Sequence, residues 1–415
     1  MTRPGYKMTE IGEIPEEWKT RIFKQDMILR RKETKGKNDK INIIPMELIP
    51  EDGLFCKYRE ASLGEVIPPT YCETGDILFP KITPSVENGK QCIVPDLPKG
   101  YSFSTSEVFA IVASKSWDNR FIFYLLKLNH FRQNLINSMV GTTGRQRVTK
   151  EALMNLVLPF PTLLEQQKIA EILSTTDETM QKVEEEIKLT ERIKKGLMQT
   201  LLTRGIGHTK FKMTEIGEIP EEWDIKQLHE VADVRKEIVQ PIEYESEHYV
   251  GLENITSGQL KIFTYGDPSN LKSSKFMFKV GDVLYGKLRP YLDKVAVAET
   301  GGICSTDIIP IVSKNSDVRF LAYILHSDSF LRFVESTTSG TNHPRTSWKL
   351  MSLFILPFPP LIEQQKIADI LSTADNKIEL LKNKKEHLEK MKRGLMNDLL
   401  TGKVRVKLDS FRGEN

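Results

Sequence analysis

Cysteine is scarce in this 415-residue chain: Cys56, Cys72, Cys92 and Cys304 stand far apart, with no C-x-x-C pair. Such spacing supports neither a disulfide framework nor a zinc site. The seven histidines form no H-x-x-x-H pair, so reduced structural thiols and no metal are expected. No run approaches the roughly 18 apolar residues that a spanning helix requires. The opening stretch MTRPGYKMTEIGEIPEEW has no apolar signal-peptide core, which points to the cytoplasm rather than a membrane. A G-x-S-x-G elbow and a G-x-G-x-x-G turn after a strand are also missing, so hydrolytic and dinucleotide chemistry have no visible foothold.

What is present is repetition. KMTEIGEIPEEW occupies 7–18 and returns at 212–223; LPFPTLLEQQKIAEILST at 158–175 returns as LPFPPLIEQQKIADILST at 356–373. GLMQTLLTRG at 196 is echoed by GLMNDLLTGK at 394, TGDILFPK by VGDVLYGK, and NRFIFYLLK by VRFLAYILH. The chain is two copies of one unit of about 200 residues, too long for a solenoid repeat. The copying is uneven: 19–73 and 224–279 share little, so a duplicated frame carries two different inserts. With 39% hydrophobic and 28% charged residues the composition is that of a globular protein, and a net charge of +3 permits nucleic-acid binding without demanding it.

After the prolines at 159 and 161, or 357, 359 and 360, neither proline nor glycine interrupts until Gly196 or Gly394, which predicts one long helix per copy. Ile367, Leu371, Ala374, Ile378, Leu381, Leu388, Leu395 and Leu399 in the second copy fall at alternating three- and four-residue steps, broken by Lys385 and Lys392. Leu173, Thr176, Met180, Val183, Ile187, Thr190, Leu197 and Leu201 take the equivalent places in the first. That is a coiled-coil seam. Some 40 residues make a helix roughly 60 Å long, and its natural cover is its own duplicate, packed antiparallel. The charged stretches KVEEEIKLTERIKK and KNKKEHLEKMKR read as solvated faces.

The remainder reads as α+β, with strands at INII, DILF, EVFAIVA, DVLYGKL, KVAVA and DIIPIV and amphipathic helices at NRFIFYLLKLNHFRQNLINS and VRFLAYILHSDSFLRFVES. GDVLYGKL satisfies G-x-x-x-x-G-K, but Leu288 follows Lys287 where a phosphate loop needs Ser or Thr, and the other copy has Pro80 for its second glycine. A turn into a strand is the better reading. Two loops attract more interest: GTTGRQRVT offers Arg145, Gln146 and Arg147, and GTNHPRTSW offers Asn342, His343 and Arg345 at the matching place. Arg suits guanine edges and Asn or Gln suits adenine; loop capping and phosphate clamping are the plainer alternatives. RRKETKGKNDK, Lys81, Lys90, Lys287 and Arg289 are candidate backbone contacts. Glu165, Gln166 and Gln167, with Glu363, Gln364 and Gln365, occupy the first helical turn, where an acid complements the helix dipole. Capping explains the Glu but hardly demands the verbatim pair; a surface kept twice points to a partner bound twice, so all six are candidate docking residues.

Two variable regions alternating with two near-identical helices, with LPFPxLxEQQKIAxIL and GLMxxLLT in both copies, resemble the specificity subunit of Type I restriction-modification systems over essentially the whole chain. The resemblance implies two α+β target-recognition domains separated by two antiparallel coiled-coil helices in a pseudo-two-fold repeat. Their expected bounds are 1–157 and 206–355 for the recognition domains, and 158–205 and 356–415 for the helical regions. It also implies that each domain reads half of a bipartite site on double-stranded DNA and that the helices set the spacer. Two methyltransferase subunits and the restriction subunits would be the partners, and S-adenosylmethionine, ATP and Mg would belong to them, leaving this chain non-catalytic. The competing class is a coiled-coil adaptor without DNA specificity, which would not need two large inserts.

Overall fold

A computed structural model of the chain describes residues 2–30, 40–62, 69–142, 144–241, 248–269, 271–338 and 344–408. It divides into two compact units, Met1–Glu185 with Asn383–Asn415, and Glu186–Lys382. The boundary therefore falls inside both long helices, Leu163–Arg204 and Leu361–Leu400, not between helix and insert. Both helices run through Gly196 and Gly394. The first ends at Gly205, whose positive φ of 64° suits glycine and brings its backbone against Trp223.

In the first unit, a hairpin pairs Tyr6–Thr9 with Gly12–Pro15, and Lys19–Ile22 pairs with Val157–Phe160. An antiparallel sheet follows in the order Met27–Leu29, Val108–Ala113, Ile77–Pro80, Cys92–Ile93. A second sheet runs Arg59–Ser62, Lys40–Ile44, Tyr101–Ser104, Thr70–Glu73, with its middle pair parallel. The two sheets bury Ile44, Leu78, Val108 and the thiols of Cys56, Cys72 and Cys92 between them, and burial pushes the Cys72 thiol up. The expected single helix at NRFIFYLLKLNHFRQNLINS is two, Asn119–Lys127 and Asn129–Asn137, because Leu128 adopts an extended backbone. Asp118 caps the first through the amides of Arg120 and Phe121. Phe121 to Leu126, fully buried, pack with Ile169, Ala170 and Leu173 of the first long helix and Leu399 and Leu400 of the second.

The second unit repeats this frame. Phe211–Thr214 pairs with Gly217–Pro220, and Asp224–Gln227 with Ile355–Phe358. One sheet runs Ala232–Val234, Ile308–Ser313, Val283–Gly286, Val295–Val297; the other runs Ile238–Val239, Lys275–Phe278, Gly302–Cys304, Tyr249–Val250. The parallel pair recurs, so the segments that defied alignment fold on the same three strands and differ in the fourth, which sits on the opposite edge. The helix here also breaks, into Val318–Leu325 and Asp328–Thr337, with the Ser327 hydroxyl capping the second through Phe330 N–H.

The long helices pair antiparallel in each unit. In the first, Lys392 meets Asp177 at 2.5 Å and Lys385 meets Glu184, seven residues on along one helix and seven back along the other. In the second, Lys194 meets Asp375 at 2.5 Å and Lys382 meets Glu191 at 3.1 Å. Seam residues are buried or half-buried throughout: Leu173, Met180, Val183, Leu388, Leu395 and Leu399 in the first unit, and Ile187, Leu197, Leu201, Leu371, Ile378 and Leu381 in the second. Lys194, expected from the sequence to be a solvated charge, and Lys392, expected as a break in the apolar spacing, are both buried members of this seam. Each makes the same triad. Tyr124 donates to Asp177 at 2.8 Å beneath Lys392, and Tyr323 donates to Asp375 at 2.7 Å beneath Lys194. Burial and the neighbouring carboxylate push both phenols up, so each stays a donor.

Candidate nucleic-acid interface

The strand from the GDILF stretch is aimed by a buried carboxylate. Asp76 accepts Glu73 N–H at 2.8 Å, closing the turn, and holds Arg30 through two bonds of 2.7 and 3.1 Å. Burial raises the Asp76 carboxyl even against Arg30. Asp282 likewise accepts Lys279 N–H at 2.8 Å and holds Arg235 through bonds of 2.7 and 2.9 Å. Arg30 opens the run RRKETKGKNDK, expected to contact the DNA backbone, but it is bound to Asp76; this pairing and that of Arg235 with Asp282 were missed in the sequence, although Arg30 and Arg235 are separated by the same interval as the two opening motifs.

In each unit this strand delivers a lysine to a platform of its own. Lys81 N–H bonds the Glu107 carbonyl, and the Lys81 carbonyl accepts Val148 N–H at 2.7 Å. The loop of Arg145, Gln146 and Arg147 is thereby laid against Ile82 and Thr83. Arg147 grips Glu107 at 3.0 and 3.3 Å, while Arg145 and Gln146 are exposed without a side-chain partner among the described residues. The Lys81 ammonium lies 5.1 Å from the Phe109 ring centre. In the second unit Lys287 N–H bonds the Asp307 carbonyl, Thr346 N–H bonds Lys287 O, and Arg345 pairs with Asp307 at 3.0 Å. Arg289 is exposed beside it, its N–H on Pro344 O. Asn342 and His343 lie outside the described residues, as does most of RRKETKGKNDK. Lys90 does not join the platform: it is half-buried, and its ammonium donates to Met46 O at 3.1 Å.

The verbatim Glu-Gln pair proves to be largely internal. Glu165 accepts Trp18 Nε1 at 3.0 Å and two bonds from Arg405, at 2.6 and 3.1 Å. Glu363 accepts Trp223 Nε1 at 2.9 Å and meets His208 at 2.8 Å. Gln166 accepts Asp118 N–H and donates to Ser116 O and Pro161 O; Gln364 accepts Asp317 N–H and donates to Pro359 O. Both amides are fully buried. The expectation that the whole motif is a partner surface is therefore corrected: four of its six residues tie helix starts to their own units, and only Gln167 and Gln365 face outward. Among the described residues no cluster of His, Cys, Asp and Glu could hold a metal ion, and no helix is long and apolar enough to cross a membrane.

The sequence model of the family described as Type I restriction modification DNA specificity domain matches residues 6–191 and again 220–390. The chain belongs to this family. Each match of the specificity domain starts at or near the hairpin and runs into a long helix, so the family's unit is insert plus strut. The Type I restriction enzyme MjaVIII specificity subunit of Methanocaldococcus jannaschii is 32% identical, over 72% of this chain and 73% of its own. The putative MjaX specificity subunit of the same organism is 30% identical over 97% of each. Among solved structures, the Type I restriction-modification S subunit from M. genitalium is similar with a TM-score of 0.56 at 17% identity, covering 96% of this chain and 99% of that one. A chain of a type I R-M system studied for complex assembly and conformational transition gives 0.53 at 18% identity, over 94% and 99%. These two support the fold.

Proposed function

We propose that this chain is the sequence-reading subunit of a Type I restriction-modification complex, each unit reading one half of a bipartite site on double-stranded DNA. The observation that carries this is the platform made twice: the same buried aspartate, the same lysine and the same acid-bound arginine, dressed with different outward groups. Lysines and paired arginines position DNA through its phosphates, and the free side chains supply the discrimination. In this reading the long helices fix the interval between half-sites, because each added base pair shifts a half-site about 3.4 Å along the duplex. They also carry two copies of the methyltransferase partner. Supporting that, the helix starts expose matching groups, Leu163, Leu164 and Gln167 in one and Leu361, Ile362 and Gln365 in the other. S-adenosylmethionine, ATP and magnesium belong to the methyltransferase and restriction partners, and the chain itself is cytoplasmic and catalyses nothing.

The test exchanges residues 224–355 for the corresponding insert of another family member and maps methylated motifs in cells that also make the partners. One half of the motif should change while the other stays. A change in both halves, or in neither, would refute independent reading.

A further inference from the structure

Arg289 and Asp293 are the two non-glycine residues with positive φ among the described residues, at 51° and 49°. They bracket a single short loop of the second unit. Left-handed backbone is costly for residues carrying a Cβ, and such strain persists only where the surroundings hold it. The surroundings here are explicit. Leu288 bridges to Arg345, Arg289 N–H bonds Pro344 O at 2.8 Å, and Leu292 and Asp293 N–H close turns onto Arg289 and Pro290. Asp293 is pinned from behind: its carboxylate meets Nδ1 of the buried His326 at 2.7 Å, and its carbonyl accepts Gly258 N–H. Pro290 is buried as the anchor.

What this fixed loop displays is a free fork and an apolar face. Arg289 is exposed, with no side-chain partner among the described residues, whereas Arg345 beside it is already bound to Asp307. Tyr291 is 54% exposed and Leu292 39%. In the first unit the same loop reads Thr83, Pro84, Ser85, Val86, and there Ser85 and Val86 are buried and the Thr83 hydroxyl is spent on Glu87. The loop is turned inward in one copy and outward in the other.

We propose that Arg289, with Tyr291 beside it, sets the sequence preference of the second unit: Arg289 bonds the O6 and N7 edge of a guanine in the major groove, and Tyr291 packs on the adjoining base pair. This rests on the chain being a DNA-specificity subunit. The fixed backbone sets where the Arg289 side chain leaves the loop, and its planar guanidinium matches the guanine edge through two bonds, which is the condition for discrimination rather than mere attraction.

The experiment maps methylated motifs for R289G, R289K and Y291S, each made with the methyltransferase partner. Glycine suits the left-handed backbone at 289, and serine is what the first unit carries at the position of Tyr291, so the loop should persist in all three. R289G and R289K should both relax one guanine position of one half-site by roughly tenfold to a hundredfold in relative methylation. Y291S should relax the adjoining position, with the other half-site unchanged. An unaltered motif overturns the proposal. So does a uniform loss recovered at low salt with R289K behaving as wild type, since that is a phosphate contact. If the unsubstituted complex methylates no defined sequence, the specificity reading itself fails, and that result is visible before any variant is compared.

Discussion

Removing the Asp177 carboxylate should destabilise the first unit more than any surface charge change. Asp177 and Lys392 are each about 10% exposed, 2.5 Å apart, and Tyr124 donates to the same carboxylate. D177A leaves the Lys392 ammonium buried without its counter-ion and a phenol without its acceptor. Breaking one side of a buried pair costs about 3–5 kcal/mol. For a unit of roughly 220 residues, at about 2–4 °C per kcal/mol, the melting temperature should fall by about 6–20 °C. The triple variant D177L, K392M, Y124F removes all three polar groups together and should recover most of that loss, because a well-packed apolar substitute is often as stable as the pair. D375A should repeat the effect in the second unit through Lys194 and Tyr323. Calorimetry reads each loss as a shift of one transition. If D177A melts within about 2 °C of wild type, which corresponds to less than roughly 1 kcal/mol, the buried-triad argument is wrong. It is equally wrong if the triple variant is as unstable as D177A.

The buried amide Gln166 serves its own unit, so Q166A should lower thermal stability by about 1–3 kcal/mol while Q167A leaves it unchanged; equal stability of the two variants would contradict the internal role. Burial, reinforced by the nearby Lys392, lowers Lys127 to about 8. Between that value and the ordinary lysine range the folded chain binds fewer protons than the unfolded one, so the stability of wild type relative to K127M should rise with pH across that window and be flat below it. Urea denaturation at pH 7 and pH 10 measures this, and a falling difference would invert the argument. Deleting seven residues from each long helix, between Asp177 and Lys194 and between Asp375 and Lys392, removes roughly 10 Å of each helix. The tolerated spacer should shorten by about three base pairs at 3.4 Å each, and motif mapping that finds the original spacer would count against the helices as the ruler.

The long helices and their seam were readable because proline, glycine and apolar spacing are local signals. The strands beginning at Ile77, Val108, Val283 and Ile308 were readable for the same reason. Lys194 was misread, and Lys392 was seen only as a break in the seam, because a lysine in a charged run looks solvated until the residue opposite it is known, and that residue lies some 200 positions away. Gln166 and Gln364 misled differently: repetition shows that a residue is needed twice, not which way it faces. The common sheet beneath 19–73 and 224–279 was invisible because strand pairing is non-local and tolerates many sequences with the same alternation. The platform loops were found from composition, but their sorting into acid-bound Arg147 and Arg345 and unpaired Arg145 and Arg289 needed Glu107 and Asp307 in place.

Each buried triad borrows its acid from one copy of the repeat and its base from the other. A drift in either copy strands a charge belonging to its twin, so the struts are yoked together and must change in concert or not at all. The loops carry no such mutual obligation. Change is thereby freer in the loops, which one unit can vary without stranding a charge in the other.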